Sequence, residues 1–200
     1  MIGHVFAYGS LLDPQSLQRT LSRVRLADLV CARLRGYRRT FDVAFPNDGS
    51  QPDKAYIDDC GVRPQFVLFA NVVAQSSGEE AVAQADDVNG ALIPVTESDL
   101  HRLTDRERRY ELIDVTESIL VALNDSAPMG PVWVFVGRRE FTRPDDVRRG
   151  VLSAEYLEMM VTGVTHWDSR NPGFAHQFER STTPLTALKT ARLERIDISE

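Results

Sequence analysis

The 200-residue sequence has only two cysteines, Cys31 and Cys60, and no apolar run long enough to cross a membrane. Two cysteines are too few for a disulfide framework or for a four-ligand zinc site. A membrane span needs about 18 or more consecutive apolar residues, so we predict no membrane partner. The N-terminus has no basic segment followed by a long apolar stretch, so no signal peptide is predicted. These absences predict a soluble cytoplasmic protein.

Basic residues are outnumbered, with 23 Lys and Arg against 29 Asp and Glu, which gives a net charge of −6. Nucleic-acid-binding domains carry a basic footprint, so we predict no nucleic-acid partner. The chain is 42% hydrophobic and 26% charged, an ordinary globular composition. Its length suits one domain with a full core, and we predict a single domain over residues 1–200.

Motifs of several enzyme classes are also absent. The sequence has no GxxxxGK[ST], GxGxxG, HExxH or GxSxG segment. The four histidines are His4, His101, His166 and His176. They show no metal-ligand spacing, and we predict no metal and no cofactor. Ser10 has no apparent His–Asp pair and is not predicted to be a nucleophile. His166-Trp167-Asp168 is interpreted as part of a loop.

The first distinctive stretch is VFAYGSLL at residues 5–12. It predicts a buried strand that ends in a tight turn, where glycine allows close backbone approach to a ligand. Asp13-Pro14 then suits the N-cap and first position of a helix that extends to about residue 22. The N–H groups of Gly9, Ser10 and Leu11 can converge on an anion or a polarised carbonyl. A plain strand–turn–helix corner fits the same residues.

Glu107 is the acidic residue expected to face that turn. Thr96 followed by an acid at position 99 resembles a capping box and predicts a helix start. Leu100, Leu103 and Glu107 then share one face, which points Glu107 inward if the helix extends that far. The alternative is a salt-bridged residue at an exposed helix end. Burial would raise the pKa of its carboxyl, whereas neighbouring arginines would lower it.

The remaining pattern favours an α+β protein. Alternating or β-branched segments predict strands at residues 30–34, 39–45, 66–74, 88–95, 110–123 and 131–136, and Ser153 predicts the cap of a helix to about residue 164. Residues 46–64 are interpreted as a long surface loop, and 76–87 as a polar connection or a poor helix. Strands and helices do not alternate throughout, so a mainly antiparallel sheet or small barrel is expected.

Five segments, in order, resemble the γ-glutamylcyclotransferase family, which includes the AIG2-like and ChaC-like proteins. They are FAYGSL (6–11), LRGYRRTF (34–41), VNGAL (88–92), LTDRERRY (103–110) and SAEYL (153–157) with the later Gly163. The resemblance extends over about residues 4–165. Two positions depart from the family pattern: Thr104 stands where Asp is usual, and Arg108 where Gly or Lys is common.

The resemblance implies a small mixed, mainly antiparallel β-barrel flanked by helices, with residues 166–200 as a C-terminal extension. It implies a cofactor-independent enzyme that cyclises a γ-glutamyl amine or peptide to 5-oxoproline and releases the amine. Glu107 would be the general acid/base in this reaction. The residues that would bind substrate are Tyr8, Gly9, Ser10 and Leu11 of the turn, together with Tyr110 and Tyr156.

This chemistry needs little machinery, because the α-amine of the substrate is itself the nucleophile and intramolecular attack has a high effective molarity. A second hypothesis is a non-catalytic binding module for a γ-glutamyl-like or other acidic metabolite. A third is an interaction protein that uses the arginine-rich corner at 106–109 and the tail. The sequence names neither the leaving amine nor the oligomeric state. Segments 46–64 and 166–200 lie outside the motifs and are candidates for setting substrate choice.

Overall fold

A computed structural model describes residues 1–51, 54–75, 87–121, 128–184 and 188–198. Its strands are β1 (Gly3–Ala7), β2 (Val30–Leu34), β3 (Tyr37–Pro46), β4 (Lys54–Asp58), β5 (Phe66–Ala74), β6 (Val88–Val95), β7 (Tyr110–Asp114), β8 (Ile119–Val121), β9 (Val132–Gly137), β10 (Gly150–Ser153), β11 (Lys189–Ala191) and β12 (Leu193–Asp197). Its α-helices are α1 (Pro14–Thr20), α2 (Glu97–Arg106), α3 (Ala154–Arg170) and α4 (Phe174–Arg180).

The strands form three sheets, ordered β7-β9-β1-β6-β2-β8, β11-β10-β5-β3 and β12-β4. Among the described strands, six pairs are antiparallel, and three are parallel. The predicted α+β class and mainly antiparallel pairing are therefore confirmed. Within the described ranges the ladders do not close into a barrel, because β3 and β11 end the four-stranded sheet without joining the edges of the six-stranded one.

The sheets and helices are layered around shared cores. The main core lies between the six-stranded and four-stranded sheets, with Phe6 from β1 and Leu68 from β5 among its members. The opposite face of the six-stranded sheet packs against the helices through residues such as Leu17, Leu103 and Trp167. The β4–β12 ribbon covers the outer face of the four-stranded sheet. Burial of these alternating apolar side chains is the main stabilising term.

Local signals in the sequence place the elements that frame the site. The Asp13 carboxylate accepts a hydrogen bond from the Ser16 N–H at 2.8 Å and starts α1 after the turn. Thr96 and Asp99 form a full capping box at the start of α2. The Ser153 hydroxyl accepts from the Tyr156 N–H at 3.4 Å at the start of α3. All three predicted helix starts are confirmed.

β1 is held closely by its neighbour β6. A Cβ added at Gly90 would lie 2.2 Å from the Ala7 carbonyl oxygen and 2.6 Å from the Phe6 ring. Only glycine fits there, as the glycine within this predicted strand suggested. The position of the turn after β1 therefore depends on a close backbone approach in the centre of the sheet.

Three predictions about single segments were wrong. Residues 46–64 contain β4, which exists because it pairs with β12 from the end of the chain. Residues 110–123 are not one strand, because the Asp114 carboxylate accepts from the backbone N–H and the hydroxyl of Thr116, which turns the chain between β7 and β8.

The third wrong prediction concerns residues 166–168, which belong to α3 rather than to a loop. The helix continues through Trp167, which anchors this part of α3 to the core. Its ring is buried, and its Nε1–H donates to the Leu12 carbonyl at 3.3 Å. The expected polar connection at 76–87 lies almost wholly outside the described residues, as does the end of the segment 110–123. The division into one domain with an extension stays a prediction. No helix in the described ranges has the length and hydropathy of a membrane span.

Gly163 sets the distance between α3 and the turn after β1. A Cβ there would lie 2.7 Å from the Leu12 carbonyl carbon and from the Asp13 nitrogen. Helix propensity alone favours Gly163→Ala by up to about 1 kcal/mol, but overpacking costs about 1–3 kcal/mol. We expect Gly163→Ala to lower the free energy of unfolding by roughly 1–2 kcal/mol in urea titrations.

The matched control is Thr165→Ala, at an exposed position of the same helix. Its effect should stay within about 0.5 kcal/mol. A Gly163→Ala protein as stable as the wild type, or more stable, would contradict the close contact between α3 and the turn.

Candidate active site

The turn after β1 and the end of α2 meet at a small inner cavity of about 40 Å³. Its lining residues are Val5, Phe6, Ala7, Tyr8, Gly9, Ser10, Leu11, Ala70, Glu107, Tyr110, Phe135 and Tyr156. The structure thus brings together every site residue predicted from the sequence. Residues far apart in the chain converge because β1 is central in its sheet and α2 leads directly into the edge strand β7.

Glu107 reaches the cavity because α2 ends one residue before it. Glu107 is the C-cap, with φ −92° and ψ 46°, and its N–H donates to the Leu103 carbonyl at 2.8 Å. Its own carbonyl accepts from the Tyr110 N–H at 2.9 Å, so the chain turns sharply into β7. The inward direction expected from the helical spacing is confirmed, and the Glu107 side chain is only 18% exposed.

Burial raises the pKa of the Glu107 carboxyl above its ordinary value, because a carboxylate loses hydration in the cavity. The Arg106 guanidinium and the Lys54 ammonium oppose this effect and lower the pKa. Arg106 Nε lies 3.1 Å from Glu107 Oε1. The alternative prediction of a salt-bridged residue at an exposed helix end is therefore correct about the ion pair but wrong about the exposure. Burial changes the pKa of Glu107 more than the ion pair does.

Arg106 also connects Glu107 to the turn and to α1. Its Nη2 donates to the Ser10 hydroxyl at 3.0 Å and to the Ser16 hydroxyl at 3.2 Å. Its Nη1 donates to the Thr20 hydroxyl. One guanidinium therefore fixes the carboxylate relative to the serine of the turn. This role of Arg106 was not predicted from the sequence, in which only the presence of arginines beside Glu107 was noted.

Three tyrosines surround the carboxylate, and each hydroxyl has a backbone partner. Tyr8 donates to the Phe135 carbonyl at 2.6 Å, and Tyr110 donates to the Ala70 carbonyl at 2.7 Å. Tyr156 instead accepts, from the Ala70 N–H at 3.2 Å. Burial raises the pKa of all three phenols, so they are protonated at neutral pH.

The turn itself is a single 3-10 turn over Ser10–Leu12. The Leu12 N–H donates to the Gly9 carbonyl at 2.9 Å, while the first N–H groups of such a turn have no partner within it. A Cβ at Gly9 would lie 3.4 Å from the Tyr156 hydroxyl oxygen and from Ala70 Cβ. Glycine therefore keeps the cavity open between the turn and Tyr156.

Arg39 stabilises the backbone at the start of the turn. It was not identified as a site residue from the sequence. It is fully buried, and its Nε donates to the Tyr8 carbonyl at 2.9 Å. Its Nη1 donates to the Thr182 hydroxyl at 2.9 Å, and its guanidinium carbon lies 3.7 Å from the centre of the Phe178 ring. Burial lowers the pKa of Arg39 to about 9. Arg39 links β1 to the segment after α4.

A second, outer cavity of about 230 Å³ adjoins the first. Ser10, Glu107, Tyr110 and Tyr156 line both cavities. The other residues of the outer cavity are Lys54, Tyr56, Phe69, Arg106, Arg108, Arg109, Met159 and Arg195. Sequence reasoning missed the contribution of Lys54, Tyr56 and Arg195, because β4 pairs with β12, a strand that lies far from it in the sequence. Across the described ranges, no three His, Cys, Asp or Glu side chains form a group able to hold a metal ion.

Comparison with known proteins adds to this geometry. Neither the family models nor the curated proteins searched match the chain. A solved structure described as "Gamma-glutamyl cyclotransferase" is similar at a TM-score of 0.55 and 14% identity, over 92% of this chain and 90% of that chain. A Homo sapiens structure of "uncharacterized protein loc79017" gives 0.52 and 16%, over 92% and 90%.

YkqA from Bacillus subtilis gives a TM-score of 0.54 and 16% identity, over 94% of this chain and 55% of YkqA. This chain therefore spans about half the length of YkqA. Similarity at these identities establishes the fold and not the reaction. The chain has the γ-glutamylcyclotransferase-like fold, which confirms the fold expected from the five motifs.

The opposing effects on Glu107 give a direct test. Because the Arg106 cation lowers the pKa of Glu107, its removal in Arg106→Gln should raise that pKa further. We expect an NMR titration of the Glu107 carboxyl carbon, assigned by its loss in Glu107→Gln, to show the increase. Lys54→Gln should act in the same direction, because Lys54 also lowers this pKa.

Arg102→Gln, an exposed position on α2, is the matched control and should leave the titration unchanged. An unaltered Glu107 pKa in both Arg106→Gln and Lys54→Gln would show that neither cation acts on the carboxylate.

Proposed function

We propose that this chain is a γ-glutamylcyclotransferase-like enzyme that needs no cofactor. It converts a small γ-glutamyl amine or peptide to 5-oxoproline and releases the amine. One observation carries the proposal: Glu107, a half-buried carboxyl with a raised pKa, faces the turn at Gly9–Leu11 across a cavity lined by three tyrosines. The fold similarity supports the same conclusion.

The reaction is an internal exchange of one amide for another. The α-amine of the substrate attacks its own γ-carbonyl carbon, and a five-membered ring forms through a new C–N bond. The original amide C–N bond then breaks, and the amine departs. Glu107 takes the proton lost by the attacking nitrogen and returns a proton to the leaving nitrogen. A pKa raised toward neutrality suits this double role, which contributes on the order of 10²- to 10⁴-fold to the rate.

The turn and Tyr156 are the proposed donors to the substrate oxygens. The N–H groups that begin the Ser10–Leu12 turn can hold the γ-carbonyl oxygen as it becomes an oxyanion, or the α-carboxylate. Tyr156 accepts its hydrogen bond from Ala70, so its own proton is not used in that bond and remains for donation into the cavity. Tyr8 and Tyr110 donate to backbone carbonyls and shape the walls.

The main test is replacement of Glu107. We expect Glu107→Gln and Glu107→Ala to lower kcat for 5-oxoproline formation by about 10²-fold or more, the size of a lost general acid/base. The measurement is 5-oxoproline released from a panel of γ-glutamyl compounds. Glu111→Gln, at an exposed site on β7, is the matched control and should retain activity. Full activity in Glu107→Gln would remove this mechanism.

The Gln variant should remain folded. Because folding raises the pKa of Glu107, the stability contribution of this carboxyl is fully present below its unfolded-state pKa. It is lost as the pH rises through the folded-state pKa. A neutral amide avoids that loss at neutral pH. Saturable binding of γ-glutamyl compounds by the wild type, without any 5-oxoproline, would instead support the non-catalytic binding module.

Replacement of Tyr156 tests the donor role. Loss of one oxyanion donor costs about 10²- to 10³-fold in kcat, and we expect Tyr156→Phe to lower kcat by up to that factor with a smaller change in KM. Tyr37→Phe, a half-buried tyrosine that lines neither cavity, is the control. An unchanged kcat in Tyr156→Phe would assign this tyrosine to packing alone.

A further inference from the structure

We infer that the outer cavity selects substrates whose leaving amine is rich in carboxylates, such as γ-glutamyl conjugates of acidic amino acids. This inference rests on the proposed cyclisation. The 230 Å³ outer cavity is lined by five cationic side chains: Lys54, Arg106, Arg108, Arg109 and Arg195. Among the residues that the structure describes, the one carboxylate in its lining is Glu107, which the reaction itself uses.

The position of Glu107 assigns this cavity to the leaving group. Glu107 lines both cavities, and the leaving nitrogen must lie beside it to receive a proton. If the γ-glutamyl part occupies the inner cavity against the turn, the substituents of the leaving amine extend into the outer one. A charged group on the leaving amine would therefore lie close to the five cationic side chains.

The β4–β12 ribbon brings two of these cations to the same wall. In its antiparallel register Arg195 lies opposite Tyr56, and Lys54 lies opposite Asp197, so all four side chains share one face. The ammonium of Lys54 is 5.3–5.7 Å from the ring centres of Phe45, Tyr56 and Phe69. These cation–π contacts help to hold the Lys54 ammonium at the wall of the cavity.

Arg195 already binds a carboxylate of this chain. Its Nη2 lies 2.6 Å from Asp197 Oδ1, and both side chains are more than half exposed. A substrate carboxylate would share or replace this exposed partner. A cationic leaving amine would be disfavoured, because five of the side chains that line this cavity are cations and like charges repel.

Arg108 and Arg195 are the positions to test. Arg106 and Lys54 act on the pKa of Glu107, so their replacement would alter the chemical step as well as binding. The dipeptides γ-glutamyl-glutamate, γ-glutamyl-glutamine and γ-glutamyl-lysine, each linked through the α-amine, differ mainly in the charge at the end of one side chain. We expect kcat/KM to decrease in that order, with glutamate roughly 2- to 30-fold above glutamine, the range of two partly exposed ion pairs.

The double variant Arg108→Gln/Arg195→Gln should reduce the glutamate-to-glutamine ratio of kcat/KM by about 2- to 10-fold, mainly through KM. Raising the salt concentration should shrink the wild-type ratio in the same direction. The control is Arg102→Gln/Arg192→Gln, which removes the same charge from exposed positions that line neither cavity. It should leave the ratio unchanged.

The outcomes separate the two proposals. Turnover of all three dipeptides with equal kcat/KM, or an unaltered ratio in the Arg108/Arg195 double variant, would overturn the leaving-group assignment while the cyclisation stands. The absence of 5-oxoproline from all three dipeptides, with turnover of other γ-glutamyl compounds, would overturn this inference alone. Its absence from the whole panel of γ-glutamyl compounds would overturn the proposed function and, with it, this inference. A ratio that falls equally in the control variant would show an effect of overall charge and would also overturn the assignment.

Discussion

The contact between Arg106 and Glu107 is the interaction on which the site depends. The guanidinium lies 3.1 Å from the carboxylate through Nε and donates to the Ser10 hydroxyl at 3.0 Å through Nη2. The planar guanidinium can bind on two edges at once, which a lysine ammonium cannot do with the same geometry. The acid from the end of α2 and the turn from the start of the chain are therefore held in one rigid arrangement. Loss of that arrangement would separate the proposed proton carrier from the proposed oxyanion donors.

Two opposing effects act on the pKa of Glu107, and their balance suits a general acid/base. Burial disfavours the carboxylate, while Arg106 and Lys54 favour it. A more exposed Glu107 would have a lower pKa and be a weaker base, whereas a buried one without the two cations would have a higher pKa. The side chain of Glu107 keeps the inward direction of the apolar face of α2, while its C-cap conformation ends the helix and leads the chain into β7.

Much of the inner site was predictable from the sequence, because its signals are local. The glycine of the turn, the Asp13 cap and the capping box at Thr96 each report the conformation of a few neighbouring residues. The outer site was not predictable, because β4 and β12 come from distant parts of the chain and their pairing has no local signature. The break between β7 and β8 depends on one side-chain bond from Asp114, which hydrophobic periodicity does not report.

The two cavities differ in how they are built, and this difference bears on their roles. The inner one is formed by core strands and helix ends, where Gly90 and Gly163 leave no room for a methyl group, so its shape tolerates little change. The outer one is closed by a two-stranded ribbon that packs on the core through few side chains, among them Tyr56 and Leu193. A rigid inner cavity suits the proposed recognition of a γ-glutamyl group, which all the proposed substrates share. Substitutions in the ribbon can change the charge of the outer cavity without disturbing the core. The ribbon is therefore the part of this fold in which sequence changes would alter the proposed substrate choice.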